Sequence, residues 1–204
     1  MSRQRELSTK GRQTRGAIEQ AARELFAERG FHGTTLADIT SAAGKSPAVL
    51  YRYFADKEDL LAALAESFLS DVVEPSGLKM RLPESPRDTE FFSSTVSGYW
   101  NMFTQHIGIM IAVAQLAASN ERFAKLQNEF RRFGMEIVAA SVRHAQQQGY
   151  GTDLDPDHTA AAIALLFENF TVVFAGPSGP GWQISDDDAI TTLATIWKKT
   201  LYNC

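Results

Sequence analysis

Cysteine is nearly missing from this chain: of 204 residues, only Cys204 at the end carries a thiol. An intramolecular disulfide is excluded, and so is a metal site built from several cysteines. A reducing, cytoplasmic setting is the simplest one for such a sequence. Enzyme motifs are missing too. There is no phosphate-cradling glycine loop, no HExxH and no GxSxG, and His32, His106, His144 and His158 share no ligand spacing. No catalytic residue, metal or cofactor is expected, and an enzyme is the class the sequence supports least. Long apolar runs are scarce. The longest, Ala160 to Ala175, is interrupted by Glu168 and Asn169 and reads as a buried helix, too short for a bilayer. No membrane association is expected. The first residues carry Arg3, Arg5, Glu6, Lys10, Arg12 and Arg15 with no apolar segment behind them, which argues against a secretory leader.

Positive charge is also short overall. The net of -4 alone would argue against a nucleic-acid partner, but up to Tyr53 nine Lys and Arg face five acids, a net of +4 that leaves -8 for the rest. A basic end that can meet phosphate, joined to an acidic body, suits a small DNA-reading unit on a larger regulatory one.

What is present bears this out in pattern. Residues 1–12 are polar and basic and read as a flexible arm. From about Arg15, the apolar residues Ile18, Ala21, Ala22, Leu25 and Phe26 recur at helical spacing up to Gly30. The stretch 34–59, TTLADITSAAGKSPAVLYRYFADKED, follows. Thr34 and Thr35 offer N-cap hydroxyls, and Thr35 with Asp38 resembles a capping box. Leu36, Ile39 and Ala43 supply an inner stripe that Gly44 ends. Ser46 and Pro47 open a new helix about three residues on, so the two helices must cross. That is the outline of a helix-turn-helix. On its second helix Leu50 and Phe54 face inward, while Ala48, Tyr51 and Arg52 project outward and Lys45 sits in the turn before. A guanidinium can fork onto guanine and an alanine can touch a thymine methyl. Taken alone, Tyr51 and Arg52 fit plain surface positions equally well. Asp56 and Asp59 cap a third helix running through Leu60, Leu61, Leu64 and Phe68 to about residue 73, with Lys57 in its first turn, where a cation opposes the helix dipole.

The segments at 30–35 (GFHGTT), Ile39 to Ala43, and Ser46 to Leu61 together closely resemble the N-terminal signature of the TetR family of transcriptional regulators. The match covers roughly residues 12–61. The resemblance implies an all-α homodimer: a three-helix helix-turn-helix head with its basic arm at 1–60, then a helical ligand-binding and dimerisation bundle at 61–204. It implies phosphate-contacting positions at Thr35, Tyr53 and Lys57, and base-facing positions from Lys45 to Arg52, namely Lys45, Ser46, Pro47, Ala48, Tyr51 and Arg52. The implied partners are a double-stranded, pseudo-palindromic operator and a small-molecule effector. Lys45 departs from the commonest pattern, standing where a small apolar residue is more usual.

In the body, residues 75–86 break periodicity and read as a loop. A helix resumes near Asp88 through Phe92, Val96, Trp100 and Phe103, and Ile107 to Ala118 is apolar nearly all round, as a buried helix is. Asn120 can cap a long helix to about Gln148, with Phe123, Leu126, Phe130, Phe133, Ile137 and Val138 inside. Asp153, Asp155 and Asp157 hint at a calcium loop, but His158 and Ala164 stand at its sixth and twelfth positions, so helix capping explains them better. Two helices close the chain, about Asp157 to Ala175 and Asp186 to Tyr202. The resemblance implies that they form a four-helix dimer interface through Ala161, Leu165, Ile190, Leu193, Trp197 and Leu201; the same stripes would equally serve as protomer core. Candidate effector contacts are Trp100, Phe103, His106, Met110, Phe133, Phe167, Asn169, Phe170 and Phe174, with Glu168 a further orienting polar group. Such a stripe is more often packing than pocket, and the aromatic content points to an apolar or aromatic ligand.

Overall fold

The computed structural model describes residues 8–73, 81–176, 179 and 181–203. The first seven residues of the basic arm, part of the 75–86 loop and Cys204 lie outside that range. Among the described residues there are nine α-helices and no strand.

α1 (Thr9–Arg29) begins earlier than its apolar stripe, because Ser8 caps it by accepting from the Gly11 N–H. The Thr9 to Arg12 part of the expected arm is therefore helical. α1 ends at Gly30, whose φ of 72° lies in the left-handed region. The Thr34 hydroxyl, expected as a cap for the next helix, instead donates back to the carbonyls of Leu25 (3.2 Å) and Gly30 (2.8 Å). Thr35 is the cap of α2 (Leu36–Ala42), with both halves of the capping box to Asp38 made. Gly44 turns the chain with φ 62°. α3 is a single α-turn, Pro47–Leu50, and Ser46 caps it with backbone only. It continues in tighter form through Tyr53, since Arg52 and Tyr53 donate three residues back, to Val49 and Leu50. Asp56 caps α4 (Lys57–Phe68), whose end runs into a π-turn at Leu69–Val73.

The body comprises α5 (Thr89–Gln105), α6 (Ile107–Ala117), α7 (Glu121–Gln147), α8 (Pro156–Ala175) and α9 (Asp186–Tyr202). Side chains of Asp88, Asn120, Asp155 and Ser185 cap α5, α7, α8 and α9. α8 packs chiefly on α7, and α9 on α5.

Two apolar clusters hold the chain. One joins Ile18, Phe26, Leu50 and Phe54 of the head to Leu60 and Phe68 of α4 and onward to Val113 and Phe130 of the body. The other unites α5, α7, α8 and α9 around Phe92, Trp100 and Trp197. The head thus shares a core with the body rather than resting on it. Gly108 permits the closest approach: a Cβ there would lie 2.6 Å from the Ala27 nitrogen of α1.

α8 corrects the expectation of a buried helix too short for a membrane. It has 20 residues, is apolar in composition and is mostly unburied, so by length and composition it could span one. Ala160, Ile163, Phe167 and Thr171 face the protomer, whereas Leu165, Leu166 and Val173 lie exposed. Glu168 sits mid-helix in an ion pair with α7, which a lipid-facing helix does not favour.

Candidate nucleic-acid interface and ligand cavity

The head is built so that one strip of α3 and its flanking turns faces outward. Leu50 and Phe54 are buried against α1 and α4 and fix the helix from behind. Lys45, Ser46, Pro47, Ala48, Tyr51 and Arg52 are all exposed on the other side. Tyr51 keeps 59% of its surface exposed, a large ring facing outward. The Lys45 ammonium and the Arg52 guanidinium have no hydrogen bond or ion pair among the described residues. Two cations, a phenol and small residues on one short convex element match what a major groove accepts.

The three phosphate candidates are differently placed. Tyr53 is half-buried against the head core. Thr35 is exposed, and both its hydroxyl and its N–H donate to the Asp38 carboxylate, which these bonds hold below the usual carboxylate range. A phosphate contact by Thr35 would exchange one of those bonds. Lys57 is the surprise. Its ammonium donates to the carbonyls of Phe31 and Thr34, both at 2.7 Å, and lies 4.3 Å from the centre of the Phe31 ring. The cation placed against the α4 dipole is therefore stabilised by the turn that follows α1. Partial burial pulls its pKa down from the usual lysine value. Two of its three N–H groups are committed and one remains.

Between α5, α6, α7 and α8 lies a cavity of about 480 Å³. Of the expected contacts, Phe103, Met110, Phe133, Phe167 and Glu168 line it. Five do not, each for a local reason. Trp100 is buried toward α9, its indole N–H donating to Asp186 at 2.9 Å. His106 stacks on Phe68 at 4.4 Å between ring centres, where burial first, and Arg23 second, depress its pKa. Asn169 is exposed and donates to the Leu165 carbonyl. Phe170 and Phe174 stack on each other, with Trp182 beyond, over a shallow depression on the outside of α8.

The wall also contains residues that sequence reasoning passed over: Tyr99, Met102, Gln127 and Arg131. Arg131 grips Glu168 through Nε (2.6 Å) and Nη2 (2.9 Å), and Gln127 donates to the same carboxylate at 3.1 Å. That bonding holds the guanidinium further above its ordinary pKa. Tyr99 meets the Thr171 hydroxyl at 3.2 Å, and burial pushes its phenol well up, so it stays protonated. Sequence alone did not single out Arg131: it and Arg132 both stand between Phe130 and Phe133, and only Arg131 reaches Glu168, while Arg132 pairs with Glu129 and Glu136 outside.

The interface residues need correction. Leu193 (0% exposed), Trp197 (1%) and Leu201 (1%) of α9 belong to the protomer's own core, with the Trp197 indole donating to Ser141. They point at α5 and cannot meet a second chain. Ala161 and Ile190 are half-buried, and Leu165 is exposed. The outward apolar residues are Leu165, Leu166, Val173 and Ile196, each 37–38% exposed. Among the described residues no His, Cys, Asp or Glu cluster could hold a metal.

A family model described as bacterial regulatory proteins, tetR family, matches residues 18–64, the stretch that carries this head. The chain belongs to the TetR family. It is 28% identical over 169 residues to the HTH-type transcriptional regulator UidR of Escherichia coli K12, covering 81% of each chain. It is 31% identical over 146 residues, 66% of each, to the HTH-type transcriptional repressor KstR2 of Rhodococcus jostii. The fold of a solved transcriptional regulator from Saccharomonospora viridis in complex with choline is similar at a TM-score of 0.72, with 21% identity, 92% of this chain and 96% of that one covered. Membership in the TetR family makes the chain a DNA-binding transcriptional regulator.

Proposed function

We propose that this TetR-family protein is a homodimeric, cytoplasmic repressor that leaves a pseudo-palindromic operator when a small apolar or aromatic molecule enters the cavity of its body. The proposal divides the chain into a DNA-reading head, residues 1–60, and an effector and dimerisation body, residues 61–204. The observation that carries it is the exposed strip Lys45 to Arg52, held from behind by Leu50 and Phe54 in a core that continues to the cavity wall at Phe130. Tyr53, Thr35 and the remaining N–H of Lys57 would take phosphate, and Arg52 and Lys45 would read base edges. Catalysis plays no part. Two such heads in a dimer would sit in successive major grooves, about 34–36 Å apart. The exposed apolar residues of α8, with Ile196 of α9, are the surface that a second copy would cover. Cavity filling would favour a head spacing that no longer fits the two half-sites.

Fluorescence anisotropy on DNA from upstream of its own coding sequence tests the reading. Tight, sequence-selective binding is expected, with a steep fall as salt rises because phosphate contacts release counterions. Arg52→Ala should cost about 1–3 kcal/mol and relax preference at one position per half-site. Equal affinity for unrelated DNA at moderate salt would overturn it.

A further inference from the structure

The cavity's polar groups are not balanced between donors and acceptors. Four of an arginine's five N–H groups form two forks, a side-on pair at Nε and Nη2 and an end-on pair at Nη1 and Nη2. Glu168 occupies the side-on fork of Arg131. The end-on fork has no partner among the described residues. Glu168 already takes three N–H groups, two from Arg131 and one from Gln127, so its charge is answered and little acceptor capacity is left. The Thr171 hydroxyl donates to the Tyr99 oxygen, which leaves the Tyr99 O–H, in the cavity wall, as a further donor. At the rim stands Arg81, held by the Asp88 carboxylate. The charged residues lining the cavity are two cations, Arg81 and Arg131, and one anion, Glu168. Apart from these groups and the hydroxyls of Ser94 and Thr95, the wall is aliphatic and aromatic.

A cationic ligand would have to displace the guanidinium from Glu168 or bring a second positive charge beside it. A neutral apolar ligand would bring no acceptor to the open fork and gain nothing from it. A carboxylate meets the fork with two parallel charge-assisted bonds. We propose that the effector is an amphipathic acid, its carboxylate on the end-on fork of Arg131 and its apolar body along Phe103, Met110, Phe133 and Phe167. This rests on the reading of the cavity as the effector site and names the chemistry of what enters it. The aromatic wall alone suits a quaternary ammonium, and it is the Arg131–Glu168 pair that turns the choice toward an acid.

The test compares decanoate, 1-decanol and decyltrimethylammonium, three probes with the same apolar chain and different heads. Each is titrated calorimetrically into the full-length protein, and its effect on operator DNA binding is followed in parallel. Decanoate is expected to bind at least about tenfold more tightly than either of the others, from the charge-assisted fork. Arg131→Gln should erase that preference and, by leaving Glu168 without its partner, turn it toward the ammonium. Arg131→Lys should restore part of the acid preference, and Glu168→Gln should keep it. Circular dichroism checks each variant's fold; if Arg131→Gln does not fold, the Lys and Glu168→Gln variants carry the comparison. Equal binding of all three probes, or tightest binding of the ammonium, overturns the acid while leaving the effector site standing. Failure of every probe both to bind and to alter DNA affinity overturns the effector site itself, and the acid with it.

Discussion

Lys57 spends its ammonium on the turn between α1 and α2. That turn carries Thr34, whose hydroxyl closes the end of α1, and leads directly into the Thr35 cap of α2. A lysine that fastens three helices at one point is first a part of the head's geometry. Lys57→Ala is therefore expected to lower stability by about 2 kcal/mol, the scale of hydrogen bonds to a charged group. The check is chemical denaturation, and operator affinity should fall with it. His106 offers a second residue-scale outcome. Its Nδ1 is buried without a partner among the described residues, and its pKa is depressed below the ordinary 6.5. Below pH 6.5 the unfolded chain takes up the proton first, so stability is lost as pH falls through 6.5 and levels once the folded group also titrates. His106→Phe should flatten that part of the melting-temperature profile relative to the unaltered protein; identical slopes would contradict the assignment.

At the scale of elements, α7 is the helix with two duties. Gln127, Arg131 and Phe133 in its middle line the cavity, while its first turn reaches α4. There Arg122 bridges Asp59 and Glu66, both at 3.1 Å, and Asn120 donates to Glu58. These are exposed pairs, so Arg122→Ala should cost less than about 1 kcal/mol in a melt. Its expected effect lies elsewhere: ligand should shift operator affinity several-fold less than in the unaltered protein, measured by anisotropy with and without effector. The helices themselves were legible where the signal was local. Thr35 with Asp38, Asp56, Asn120 and Asp155 each announced a helix start from three or four neighbouring residues. What a helix faces was less so. Leu193, Trp197 and Leu201 mark one stripe of α9, and periodicity identifies a stripe without saying whether α5 or another chain covers it. The cavity was half legible for the same reason, since Phe103, Met110, Phe133 and Phe167 could be picked by type. Arg131 drew meaning only from Glu168, 37 residues away.

At the scale of the whole molecule, the exposed apolar face of α8 is an uncovered cost. Leu165, Leu166 and Val173 stand on a helix whose other side is fully used, and a second copy would bury them. Leu166→Glu, outside the protomer's core, should leave the circular dichroism spectrum and the cavity intact while shifting sedimentation toward monomer. Operator affinity should then drop far more than half-site affinity, because one chain grips only one half-site. A dimer of undiminished stability would reject α8 as the contact.

Gly108 has a bearing on how such a protein can be altered by recombination. Two backbones touch where it stands, with no room for even a methyl group between α6 and Ala27 of α1. A head grafted from a relative would have to match that surface as well as its own core. Chimeras joined after α4 are thus expected to fold only where the acceptor body keeps glycine at this point and the donor's α1 follows the same backbone path, so new operators are reached more readily by changing Lys45 and Arg52 than by exchanging heads.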